Sequence, residues 1–567
     1  MIAAENPLIV QGDLTVLVEV YSPRYAEARD VLARFAELVK SPEHIHTYRI
    51  TPLSVWNACA SGCTPQWIMS SLEEFAKYPV PEHVRVQVRD LAGRYGKLRL
   101  IRHEADIILS ADDATLAEEI SRQDLVRPHL ARRLSPTTFI VPFAARGQIK
   151  QALIKIGYPA EDLAGYVGGE NLVIGLRIPE SLGGRPFELR HYQRDAAEVF
   201  HAGGSDRGGS GVIVLPCGAG KTIVGIAAMA KLQCSTLILT SSVTAVRQWI
   251  SELIDKTTLT ADQIGEYTGQ SKEIRPVTVV TYQVLTHRKK KTDEFPHLKI
   301  FDGGNWGLII YDEVHLLPAP VFQITADLQA RRRLGLTATL VREDGREDEV
   351  FALIGPKKAD VPWKDLEHQG WIANAVCTEV RLEMPESLRM TYALAENRSK
   401  FRVAAENPDK FALVREILKR HAGEPTLVIG TYVEQIEALA KSIGAPVLTG
   451  STPQARRDRV YADFKDGKVG VLAVSKVANF ALDLPDASVA IQISGTFGSR
   501  QEEAQRLGRI LRPKSGHNQA HFYSLVSQDT VEQDFAMKRQ LFLCEQGYEY
   551  RIVHAAQWAA LETAALA

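Results

Sequence analysis

Gly211-Val212-Ile213-Val214-Leu215-Pro216-Cys217-Gly218-Ala219-Gly220-Lys221-Thr222 is the stretch that decides the fold. An apolar run of buried-strand character enters a glycine-rich turn, and helical patterning resumes from Ile223 to Lys231. Glycines let successive backbone N–H groups close around phosphate oxygens, and the N-terminus of the following helix adds partial positive charge. Lys221 can reach β and γ phosphates, and the Thr222 hydroxyl can ligate Mg²⁺. Leu215 stands where the usual loop has its first glycine, but G-x-G-K-T between a strand and a helix still points to a nucleotide. Gly218, Ala219, Gly220, Lys221 and Thr222 are therefore the expected ATP-binding residues, with Mg²⁺ as companion ion.

Further along, Gly307-Leu308-Ile309-Ile310-Tyr311 ends in Asp312-Glu313-Val314-His315. A carboxylate at the C-terminal end of a parallel strand sits where Mg²⁺ needs an oxygen, which assigns Asp312 to the metal. Glu313 beside it is placed to orient and deprotonate an attacking water. Another buried strand runs into Leu336-Thr337-Ala338-Thr339, and the hydroxyls of Thr337 and Thr339, with His315, are candidates for linking the site to a moving partner. In Gln505-Arg506-Leu507-Gly508-Arg509-Ile510-Leu511-Arg512, helical geometry places Gln505, Arg509 and Arg512 on one face. Arginines there can neutralise transition-state charge on a γ-phosphate.

Outward from these motifs the texture is α/β. Strand-like runs at Gly211–Leu215, Thr236–Thr240, Thr278–Thr281, Gly307–Asp312 and Arg333–Leu336 form one series; Thr426–Gly430, Val447–Gly450, Gly470–Ser475, Val489–Ser494 and Ala520–Leu525 form another. Two tandem doubly wound parallel-sheet domains of RecA-like type are predicted. The first 180 residues read as small helices. Ser22-Pro23, Ser41-Pro42, Thr51-Pro52 and Thr64-Pro65 each offer a hydroxyl N-cap followed by proline, and Tyr25 to Val39 carries an apolar helical face. Three helices near 51–61, 64–77 and 82–94 and then a hairpin near 97–110 follow the order of a winged helix, though a helical packing domain fits equally. The expected domains are a mainly helical 1–112, a small α/β segment 113–182, lobe 1 over 183–365, lobe 2 over 366–548 with an insertion around 386–412, and a tail from 549.

Bulk numbers bound the rest. At 567 residues several domains are expected. Lys and Arg total 67 against 68 Asp and Glu, a net charge of -1, which excludes a uniformly basic nucleic-acid binder but not one basic face. Six scattered cysteines offer no paired metal-ligand spacing, and no apolar run reaches membrane-spanning length. The N-terminus has no secretory pattern, so a cytoplasmic, nucleoid-associated protein is expected.

The set Gly218-Ala219-Gly220-Lys221-Thr222, Asp312-Glu313-Val314-His315, Thr337-Ala338-Thr339 and Gln505-x-x-Gly508-Arg509-x-x-Arg512 resembles superfamily 2 helicases. Arg342-Glu343-Asp344, Asn407-Pro408-Asp409-Lys410-Phe411 in a thumb-like region, and the stretch Phe35 to Ile101 narrow the resemblance to the XPB family. That resemblance implies an ATP-driven 3′ to 5′ DNA helicase of excision repair, acting on forked or damaged duplex, with a possible partner nuclease, and monomeric when free. It implies adenine contact by Gln193, nucleotide sensing by Asp483, strand separation by Arg342, Glu343 and Asp344, and DNA-backbone contacts near Ser242, Thr281 and Ser475. A duplex translocase or ATP-gated clamp with little unwinding is the alternative, and an RNA-directed ATPase a third reading.

Overall fold

The computed structural model describes residues 3–41, 44–104, 106–205, 207–216, 218–288, 295–328, 331–338, 347–361, 366, 374–475, 487–495, 519–545 and 548–558. The chain divides into two compact units: Met1–Glu37, Thr47–Leu215 and Gly220–Val361 form one, and Leu38–His46, Pro216–Ala219 and Pro362–Ala567 the other. No described helix is long and apolar enough to cross a membrane.

The N-terminal helices start where proline and hydroxyl coincide. Thr51 accepts a hydrogen bond from Ser54 N and caps Pro52–Ala60, and Thr64 accepts from Trp67 N and caps Pro65–Phe75. A third helix spans Glu82–Arg94. The other two hydroxyl-proline pairs do not open helices in this way: the cap position before Tyr25–Leu32 is Arg24, and Ser41 follows the strand Glu37–Lys40. The predicted helix to Val39 therefore stops short, because its last apolar residues Leu38 and Val39 belong to that strand.

The boundary expected at residue 112 is not a boundary in the fold. Arg132–Ser135, Thr138–Val141, Asp106–Ala111, Leu98–His103 and Ala160–Leu163 form one five-stranded sheet in that spatial order. Hairpin residues Leu98, Leu100, Ile107 and Leu109 bury against Leu116, Ile120, Phe139, Ile149 and Leu153. The hairpin is thus the centre of a small α/β module rather than the wing of a winged helix, because its apolar face is satisfied by the segment that follows it.

In lobe 1, seven parallel strands lie in the order Ile264–Tyr267, Val277–Thr281, Thr236–Thr240, Leu308–Asp312, Arg332–Thr337, Ser210–Val214 and Lys357–Asp360. The central strands are continuous Val/Ile/Leu runs because helices cover both faces, and Val212, Leu239, Ile309, Tyr311 and Leu353 are among the buried residues at their core. Open sheets of this kind place ligands at the carboxyl ends of their strands. Here those ends are Val214, Thr240, Thr281, Asp312 and Thr337.

Lobe 2 repeats the plan with Val447–Leu448, Val471–Ser475, Thr426–Gly430, Val489–Gln492, Gln519–Ser527, Asn374–Leu382 and Glu549–His554, again all parallel. The expected C-terminal tail is therefore part of the lobe: Glu549–His554 pairs with Val376–Arg381, and Trp558 is buried with Tyr523 and Ile491 in its core. The insertion expected to end near 412 holds helices Glu386–Leu394 and Asn397–Ala405, but Lys410 already opens a core helix, Lys410–Arg420. The Lys410 ammonium is fully buried, 2.8 Å from both oxygens of an equally buried Glu532 and 2.9 Å from the Ile493 carbonyl.

Candidate nucleotide-hydrolysis site

Ser210–Val214 delivers the chain to the glycine turn, and Lys221–Leu232 is the helix that follows. Gly218 and Gly220 both have left-handed backbones, φ 82° and 80°. At Gly220 the lack of a side chain is also a matter of room, since a Cβ would lie 2.6 Å from Gln193 Nε2. Gln193 is buried, and its carbonyl oxygen accepts from Arg190 N at 3.1 Å. One end of this amide caps the helix His191–His201 while the other adjoins the phosphate loop.

The acidic pair stands two strands away. Lys221 Nζ is 2.8 Å from Glu313 Oε1, and His315 Nδ1 is 3.6 Å from Glu313 Oε2 and 2.7 Å from Thr337 Oγ1. Lysine, glutamate, histidine and threonine are thereby one connected set spanning three motifs. Glu313 itself has φ 51°, a left-handed conformation that costs a residue with a side chain about 1–3 kcal/mol and redirects the chain sharply after the strand.

Asp312 is fixed differently. One carboxylate oxygen accepts from Trp249 Nε1 at 2.9 Å, the other from Glu313 N at 3.1 Å, and the main-chain oxygen accepts from the Tyr282 hydroxyl at 2.9 Å. Burial and then the adjacent Glu313 charge push Asp312 up to about 6. Burial acts on Glu313 in the same sense, but the charges of Lys221 and His315 prevail and hold it below the usual glutamate range. Two neighbouring carboxyls driven apart in this way suit two roles, one waiting for a cation and one ionised as a base.

The residues fit Mg²⁺. Among the described residues no cluster of three or more His, Cys, Asp or Glu could cage a metal. Magnesium, however, binds through one or two protein oxygens plus phosphate and water. The buried Asp312 carboxylate, whose pKa is raised, has the chemistry of such a ligand, and the Thr222 hydroxyl on the helix after the loop would be the second.

The expected DNA-facing residues divide. Ser242 is half-buried and caps Val243–Lys256 by accepting from Ala245 N at 3.2 Å. Thr281 lies beside it on the next strand but is only 2% exposed, and its hydroxyl accepts from Val284 N. Ser475 ends its strand fully buried. Neither the Thr281 nor the Ser475 hydroxyl is offered to solvent, because each is the last residue of a buried strand and is itself buried. Thr339, Arg342, Glu343, Asp344, Asp483, Gln505, Arg509 and Arg512 lie outside the described residues. Trp249 and Tyr282 are the site residues that motif reading missed as partners of Asp312; the bond from Trp249 crosses 63 residues of sequence and has no local pattern.

A phosphate loop and an ion-paired Asp-Glu motif on one parallel sheet, in a chain with a second parallel-sheet lobe, define a helicase-type ATPase. Comparison with known proteins narrows the class. The ERCC3/RAD25/XPB C-terminal helicase model matches residues 366–565, the type III restriction enzyme res subunit model 186–342, and a helicase conserved C-terminal domain model 8–135. The chain is 53% identical over 552 residues to the DNA 3′-5′ helicase XPB of Kineococcus radiotolerans, covering 97% of each. It is 53% identical over 549 residues to that of Mycobacterium tuberculosis, covering 97% of this chain and 98% of the relative. It is 32% identical to the transcription and DNA repair factor IIH helicase/translocase subunit XPB/SSL2 of Saccharomyces cerevisiae, over 97% of this chain and 72% of that one. A type ISP restriction-modification enzyme bound to DNA, LlaBIII, shares the fold, with TM-score 0.50 at 12% identity over 67% of this chain and 33% of that one. The chain belongs to the XPB family of superfamily 2 helicases.

Proposed function

We propose that the protein is an ATP-driven DNA helicase moving 3′ to 5′, and that it opens forked or damaged duplex for excision repair in the nucleoid, together with a nuclease partner. The observation that carries the reading is the Lys221–Glu313–His315–Thr337 set beside Asp312, within a chain 53% identical along nearly its whole length to DNA 3′-5′ helicases. Names given to those relatives favour unwinding over a clamp that merely holds DNA open.

Binding of ATP brings the γ-phosphate to Lys221, which exchanges its bond with Glu313 for one with phosphate oxygen. Glu313, held ionised by Lys221 and His315, is then free to take a proton from an attacking water. Thr222 and Asp312 would hold Mg²⁺, whose chemistry there would be charge neutralisation on the phosphates. Gln193 recognises the base, and Thr337 reports through His315 whether Glu313 is engaged. Gln505, Arg509 and Arg512 serve catalysis, Asp483 senses the nucleotide, and Thr339 belongs to the coupling motif. DNA lies along the strand ends near Ser242, with Arg342, Glu343 and Asp344 at the point of strand separation.

Hydrolysis measured with single-stranded, duplex and forked DNA and with RNA tests the assignment. DNA should stimulate turnover more than RNA, Lys221→Ala should abolish it, and forked duplex should be unwound. Displacement of a triplex strand without unwinding would replace helicase by translocase, and turnover surviving in Lys221→Ala would remove the site itself.

A further inference from the structure

Asp312 is held from two elements outside the motifs. Trp249 bonds its carboxylate and Tyr282 its main-chain oxygen. Trp249 sits in the second turn of Val243–Lys256, the helix capped by Ser242, and Tyr282 directly follows Thr281. The strands feeding these two segments are adjacent and in register, Thr240 opposite Thr281. A further bond ties the segments together, Gln283 Nε2 donating to the Ser241 carbonyl at 2.5 Å.

The indole has little freedom. Trp249 is 1% exposed and lies so close to Gly225, on the phosphate-loop helix, that a Cβ there would be 2.5 Å from the ring. A displacement of the Ser242 end, about 10 Å from Trp249 along the helix axis, is therefore delivered to the carboxylate rather than absorbed by ring rotation. Phenylalanine would fill either aromatic position as core. What the indole N–H and the phenol hydroxyl add is a directed bond to the residue that would hold Mg²⁺ and that adjoins Glu313, the proposed base.

We propose that Trp249 and Tyr282 are positioning residues that couple DNA bound at the carboxyl ends of these strands to the setting of Asp312, and so to nucleotide turnover. The proposal rests on the reading of the Ser242 segment as a DNA-backbone contact. Such coupling is reciprocal: whatever factor DNA imposes on nucleotide binding, nucleotide imposes on DNA binding. It can therefore be read without measuring turnover.

Full-length protein is titrated onto fluorescein-labelled single-stranded DNA, and the affinity is compared with and without saturating ADP and Mg²⁺. Trp249→Phe and Tyr282→Phe should each move the ratio of the two affinities about fivefold or more toward one. Leu253→Ala, which hollows the buried side of the same helix without touching Asp312, should leave the ratio at its wild-type value. Tyr282→Phe removes a single hydroxyl and keeps the test open if the tryptophan variant does not fold. A wild-type ratio retained in the folded aromatic variants overturns the proposal, as does a wild-type ratio of one. Unchanged DNA affinity in Ser242→Ala overturns it by a separate route, since the contact reading then fails while the aromatic bonds stand.

Discussion

Lys221 Nζ lies 2.8 Å from Glu313 Oε1, with side chains only 13% and 17% exposed, so the lysine proposed to bind phosphate and the glutamate proposed as base neutralise each other. The pair is a built-in competitor for ATP: phosphate must displace the carboxylate to gain the lysine. Glu313→Gln removes the competing charge and the base together. ATP affinity should therefore hold or rise by about two- to tenfold while kcat falls by about 10²- to 10⁴-fold. Fluorescent-nucleotide binding alongside single-turnover hydrolysis separates the two effects, and a parallel loss of both would assign Glu313 to binding instead.

Asp312 makes stability depend on pH in an unusual sense. Its pKa is raised from 3.8 to about 6, so the folded state prefers the protonated carboxyl. That preference stabilises fully below the unfolded value and is lost as pH rises through about 6, leaving a buried charge at neutrality. Asp312→Asn should therefore stabilise the nucleotide-free protein at pH 7.5 in EDTA, by about 2 kcal/mol once the loss of one of two accepted hydrogen bonds is included. At pH 4.5 the gain should shrink. Thermal melts at the two pH values check it, and an equal shift at both would rule out the charge as cause.

Much of this architecture was readable from residue pattern because central parallel strands are buried on both faces and show as unbroken apolar runs, as at Val212–Leu215 and Ile309–Tyr311. The interior strand Asn374–Leu382 and most edge strands escaped, although the edge strand at Val447 did not. Lys357–Asp360 is polar and Glu549–His554 is mixed, since an edge strand can leave one side to solvent. The hairpin Leu98–Ala111 was legible as strands but was joined to the wrong partners, because its alternation does not say which sheet it enters. At the site, contiguous motifs exposed Lys221, Asp312, Glu313 and Thr337, whereas Trp249 became visible only when packing brought it 2.9 Å from Asp312.

Gly220 carries two constraints that can be separated. Gly220→Ala places a Cβ in a left-handed backbone, φ 80°, and drives it to 2.6 Å from the buried Gln193 amide. Gly444 shares the first constraint, φ 68°, but faces open space. Each substitution should cost about 1–2 kcal/mol in its own lobe. Only Gly220→Ala should weaken ATP binding, by about tenfold or more, because only there does the shifted side chain belong to the nucleotide pocket. Equal ATP affinity in the two variants would show that strain alone, not proximity to Gln193, explains the glycine.

In lobe 2 the fully buried Lys410–Glu532 pair anchors the helix that follows the inserted segment to the helix Val531–Glu545. Burial lowers the Lys410 pKa, and the charge of Glu532, itself bonded to Ser527 N, opposes that shift. Removing one partner strands the other charge without water. Lys410→Met should therefore destabilise lobe 2 by about 3–5 kcal/mol, a cost set mainly by the orphaned carboxylate. The double variant Lys410→Met with Glu532→Gln eliminates that charge and should recover at least half of the loss. Urea unfolding of the wild type, both single variants and the double variant gives the interaction energy directly. Additive single effects would mean that the two groups stabilise the lobe independently, through the Ile493 and Ser527 bonds rather than through each other.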